Sequence, residues 1–152
     1  MEPAMQDLRI DHVDGALSAL DQADPQYKAA LWQWACLEML HETLSAMHQL
    51  SHRVGVAELV ADAWLAPVDV IAPEQPFLER AMLADPRVPA FALALNAAAS
   101  RQSRADLWRS GYASAVQATL QGMQALAGKH RIRRAAARTC RGDCLSTVHS
   151  AP

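Results

Sequence analysis

Apolar and polar residues along the chain recur with a helical period rather than the alternation of a strand. The pattern is sharpest over residues 25–52. At about 100° per residue, Leu37, Leu40, Leu44 and Met47 fall on one side of a wheel. Glu38, His41, Glu42, Ser45, His48, Gln49 and His52 fall on the other, so three of the six histidines share one polar stripe. Asp24-Pro25 marks the start of this helix: the carboxylate can cap free amides, and proline is tolerated where its missing N–H costs nothing.

The same reading divides the rest of the chain. A first helix is expected over residues 4–21, with Met5, Leu8, Val13, Leu17 and Leu20 inward. Gly55 interrupts the second helix, and a short third one runs to Ala66, carrying Leu59, Val60, Ala63 and Trp64. Pro67 ends it, leaving PVDVIAPEQP as a connection. Pro76 can open a fourth short helix, PFLERAMLAD. Asp85-Pro86 repeats the start signal for a fifth, with Pro89 confined to its first turn. Ser103 to Asp106 fits a capping box. The sixth helix then aligns Trp108, Tyr112, Ala115, Val116, Leu120, Met123 and Ala127, with Gly111 and Gly122 permitting close approach and Gly128 as its stop.

These elements imply an all-α fold, an irregular bundle of five or six helices with proline-rich connections. The long second and sixth helices form its centre, and a solenoid-like or orthogonal arrangement is the alternative. Residues 1–128 read as a single helical domain. Residues 129–152 read as a flexible, partly disordered basic tail.

Composition supports this division. A chain of 152 residues can bury one core. Ala and Leu are abundant, with six Met and four Trp but only two Phe and two Tyr, which favours packed helices over sheets. The net charge of −2 hides an asymmetry: residues 1–128 hold 15 acids and 8 bases (−7), whereas residues 129–152 hold 6 bases and one acid, Asp143 (+5). Three cysteines do not make a disulfide framework, and a reducing cytoplasm fits that number better. The acidic N-terminus lacks a signal-peptide pattern, and the charge-free run Ser110–Gly128 is too rich in Ser, Gln and Thr to read as a membrane span.

Five kinds of chemistry are worth weighing. His48 and His52 stand four apart on one helix face, and Glu38-x-x-His41 has the local spacing of carboxylate-bridged metal bundles. A metal-binding stripe of Glu38, His41, His48 and His52 is therefore one alternative. It would still need further ligands from elsewhere in the chain. Cys140, Cys144 and His149, with His130 further back, are too loosely spaced for a zinc set and read as exposed reduced thiols; Cys36, among apolar residues, reads as a small core side chain. Lys129, Arg131, Arg133, Arg134, Arg138 and Arg141 could contact nucleic acid or acidic lipid, although no aromatic residue among them offers base stacking. No nucleophile elbow, phosphate loop, dinucleotide fingerprint or His-Glu-x-x-His is present, which weighs against an enzyme, and no cofactor is implied. Tryptophan is enriched at interfaces. Trp64 and one of the pair Trp32 and Trp34 are the candidate partner anchors, the other of the pair being core.

The segments LWQWAC (31–36), AWLAP (63–67) and PAFALALNAAAS (89–100) resemble an uncharacterised family of small helical bacterial proteins found in secretion-type gene neighbourhoods. The likeness spans about the middle half of the chain and rests on Ala/Trp helix-packing patterns. It implies an adaptor or accessory role, brings no catalytic or ligand residue, and leaves the basic tail outside. The sequence thus points to a helical adaptor binding another protein, with homodimerisation also compatible. The alternatives are a metal-binding protein and a regulator touching nucleic acid through its tail.

Overall fold

The computed structural model describes residues 6–63 and 76–132. Among them are four α-helices and no strand: α1 (Leu8–Ala19), α2 (Pro25–Arg53), α3 (Arg87–Ala97) and α4 (Arg101–Lys129). The expected count of five or six is therefore corrected to four. Where the third and fourth helices were expected, the described residues form only the three-residue 3-10 turns Ala61–Ala63 and Arg80–Met82. The reason is the cost of nucleation: a first helical turn fixes several dihedrals for one hydrogen bond, and short segments bounded by proline do not recover that cost.

Helix starts follow local chemistry. Asp7 and Asp24 each accept a hydrogen bond from the backbone N–H two residues on, at 3.0 and 2.8 Å. At α3 the Asp85 carboxylate accepts from Arg87 N at 2.9 Å, so the Asp-Pro signal works one residue ahead of the helix. The cap of α4 is Ser100, accepting from Ser103 N at 3.0 Å, three residues before the expected one.

The two long helices also stop alike. In each, the N–H two residues past the C-cap returns to a carbonyl inside the last turn: Val56 N to Ser51 O and Ile132 N to Ala127 O, both 2.9 Å. The residue between must adopt the left-handed conformation. It is Gly55 (φ 73°) after α2 but Arg131 (φ 56°) after α4. Gly128, the expected stop, lies within the last turn of α4 instead.

Packing centres on α2 and α4, with α1 against α2 and α3 against α4. Two tryptophans join the central pair reciprocally. Trp32 of α2 donates to Met123 O of α4 at 2.8 Å, and Trp108 of α4 donates to Met47 O of α2 at 2.9 Å. Both indoles are fully buried, and a buried indole N–H without a partner would cost about 1–3 kcal/mol. Glycine sets the spacing of the outer helices. A Cβ on Gly111 would lie 3.0 Å from the Phe91 ring, and one on Gly122 would lie 2.8 Å from Ile10 Cδ1.

A buried charged cluster ties all four helices together. Arg9 of α1 is fully buried, in place of Leu8, which was expected inward and is exposed. Its guanidinium reaches Asp7 at 2.9 Å and Asp85 at 3.3 Å. It also donates to Thr43 Oγ1 and Leu83 O at 3.3 Å, and to Met39 O at 3.4 Å. Asp85 accepts from Thr43 Oγ1 of α2 at 3.0 Å and from Arg87 of α3 at 2.9 Å. Arg87 in turn donates to Thr119 of α4 at 3.0 Å. Burial alone would raise the Asp7 carboxyl, but the hydrogen bond and charge of Arg9, with the charge of Arg87, hold it below its usual range. Apart from Asp85, which belongs to the Asp85-Pro86 helix-start signal, none of these residues carries a recognisable sequence motif.

Candidate interaction surface

Because α2 is the central helix, most of its circumference is covered. What remains open is an outer stripe. At its N-terminal end stand Tyr27 and Trp34, 59% and 54% exposed, two turns apart on one face. Leu31 between them is partly buried, packed against the core. Further along, Leu37, His41, Ser45 and His48 are half-buried and His52 is exposed. One face therefore changes from aromatic to imidazole-rich along its length.

Of the three candidate anchors, Trp32 is core and Trp34 is outward. The choice between the two is made by Met123 O: Trp32 is the one whose indole meets an acceptor across the α2–α4 contact. Trp64 lies outside the described residues. A second apolar exposure is Leu93 of α3, 75% exposed, on a face continued by exposed Ala90, Ala94 and Ala97.

The polar stripe differs from its wheel projection at Glu38. That side chain is buried, not solvated, and its carboxylate accepts from Phe77 N at 2.8 Å and Leu78 N at 3.1 Å. It anchors the connection preceding α3 onto α2. Burial raises the Glu38 carboxyl above its usual range, against the opposing pull of the Leu78 and Phe77 amides and the His12 charge. Burial, with the nearby His52 charge, lowers the His48 imidazole below its usual range. Among the described residues no group of three or more His, Cys, Asp or Glu side chains could hold a metal ion.

Of the basic candidates, Lys129 and Arg131 are described, and Arg133, Arg134, Arg138 and Arg141 lie outside, as do Cys140, Cys144 and His149. Lys129 and His130 turn back onto α1, meeting the two oxygens of Asp14 at 2.8 and 2.6 Å. These hydrogen bonds, Lys129 first, lower the Asp14 carboxyl. Cys36 is buried as expected, and it is disulfide-bonded.

Charge is divided between the two described segments. Residues 6–63 carry nine acids and three bases (−6), and residues 76–132 carry three acids and seven bases (+4). The Tyr27–Trp34 face belongs to the acidic segment. Among the described residues no helix is long and apolar enough to cross a membrane. No family model matches the chain, and neither a curated protein nor a solved structure matches it.

Proposed function

We propose that the chain is a non-enzymatic helical adaptor or accessory protein that binds another protein through the Tyr27–Trp34 face of α2. The observation that carries this reading is the exposure of both rings on a helix whose core contacts are already complete. Trp32 and Trp108 fill the α2–α4 contact and satisfy their indoles there, so the fold has no use for Trp34. Large exposed aromatics on a rigid helix lose little entropy on docking and commonly anchor interfaces. The two exposed rings suit a partner that offers an apolar helix or groove. The resemblance of residues 31–36, 63–67 and 89–100 to helical proteins of secretion-type neighbourhoods supports an accessory role.

The test pairs capture with substitution. Tagged chain should recover one dominant partner. Trp34→Ala should weaken that complex by about 2 kcal/mol or more, roughly thirty-fold. Helix content should stay unchanged and the urea midpoint should move little, since Trp34 is 54% exposed and fills no core position. Equal recovery by wild type and the Tyr27→Ala/Trp34→Ala double variant would remove this face from the interface.

A further inference from the structure

A concave site lies where the α1–α2 turn meets the end of α4. Its volume is about 490 Å³, within the range of small-ligand pockets. Three cations from two elements line it: Lys28 of α2, Lys129 at the last position of α4, and Arg131 just beyond. Against them stands one lining carboxylate, Asp21. Ser18 adds a hydroxyl, and Pro25 and Ile132 add apolar wall.

The cations are not used up by their partners. Lys28 meets Asp21 at 2.8 Å and Lys129 meets Asp14 at 2.8 Å. An ammonium carries three donors, so each keeps capacity for a second acceptor. The Lys28 side chain is only 13% exposed, which holds its position. Arg131 makes no ion pair among the described residues and keeps its planar fork for a bidentate acceptor.

Arg131 also occupies a backbone position that disfavours it. The corresponding residue after α2 is Gly55, which takes a positive φ without a Cβ penalty. An arginine in that conformation is less stable than glycine, and it places a cation at the cleft. We propose that this cleft binds a small phosphorylated ligand, with Lys28, Lys129 and Arg131 holding the phosphate. Two or more oxyanion charges suit three cations that line one cleft, and a bounded pocket suits a small molecule better than an extended polyanion, which is read along a row of contacts.

Thermal unfolding of the full chain with pyrophosphate tests the proposal. At millimolar pyrophosphate the midpoint should rise by roughly 3–5 °C, whereas acetate at matched ionic strength should not raise it. Arg131→Gly is the decisive variant, because it removes the charge and relaxes the backbone together. It should melt higher than wild type without ligand and bind pyrophosphate about ten-fold or more weakly. Lys28→Gln should show the same loss of affinity. An unchanged pyrophosphate shift in Arg131→Gly, an equal shift with acetate, or binding of a single-stranded oligonucleotide in place of pyrophosphate would each overturn it.

Discussion

Replacing Asp85 by Ala should be among the most damaging single changes in this protein. The carboxylate neutralises two guanidinium groups, at 3.3 Å from Arg9 and 2.9 Å from Arg87, and accepts from Thr43 Oγ1 at 3.0 Å and Arg87 N at 2.9 Å. Removing one partner of a buried ion pair typically costs about 3–5 kcal/mol, because the other charge stays desolvated. Asp7 still faces Arg9 at 2.9 Å, which offsets part of the loss, while the cap of α3 goes with the carboxylate. About 4 kcal/mol is the expected total, a large share of a typical domain stability. Arg9→Met alone should cost about 2 kcal/mol, since Arg87 and Thr43 continue to hold Asp85. The double variant Arg9→Met/Asp85→Ala should then fall short of the sum by about 2 kcal/mol, because the two charges left behind, Asp7 and Arg87, stand 3.7 Å apart and pair with each other. Urea unfolding monitored by helix content reads all three. With a slope of about 1.5 kcal/mol/M, Asp85→Ala should lower the midpoint by about 2–3 M. A loss under about 1 kcal/mol, or strict additivity in the double variant, would show that the cluster is solvated in solution and does not hold the helices together.

Two further outcomes follow from local geometry. Gly55→Ala meets no atom within 4 Å, so its cost is conformational alone, about 1 kcal/mol by the same unfolding assay. A neutral result would mean the end of α2 does not hold its left-handed turn. Glu38→Gln should change the pH dependence of stability. The folded-state carboxyl is raised, so Glu38 contributes stability that is present below the ordinary carboxylate range and lost as pH rises through the raised value. Asp7, Asp14 and Asp62 act oppositely, since their lowered carboxyls add stability above the ordinary range and lose it as pH falls. Removing the Glu38 contribution should therefore make stability rise more steeply as pH climbs above the ordinary carboxylate range, read from urea midpoints at each pH. A profile identical to wild type would place Glu38 in solvent.

The long helices were legible because their signals are local and repeated. Asp24-Pro25 and the Leu40, Leu44 and Met47 spacing together define α2 within a residue at either end. The segments expected as third and fourth helices were not, because a short helical pattern does not say whether packing recovers the cost of nucleation; α3, with 11 residues and also flanked by proline, does recover it. Glu38 illustrates a different limit. A wheel assigns a face, but a carboxylate on the boundary is buried or wet according to what covers it. Here the amides of Phe77 and Leu78, some forty positions away, decide it. The Arg9 cluster was invisible for the same reason, since its partners Thr43, Asp85, Arg87 and Thr119 come together only through the fold.

The distribution of tryptophan connects packing to function. An indole in a helical core must place its N–H against an acceptor, and a helix carbonyl with a free lone pair can serve only where two helices cross closely. Met123 O and Met47 O supply the two such positions occupied by Trp32 and Trp108. Trp34, two residues from Trp32, points away from that crossing, because a helix turns about 200° in two steps. No change of rotamer can return it to the same contact. Its exposure is a consequence of the backbone itself, so any partner that covers it meets a ring already held in place by α2. That preorganisation is the physical reason to expect Trp34→Ala to act on binding while leaving the fold intact.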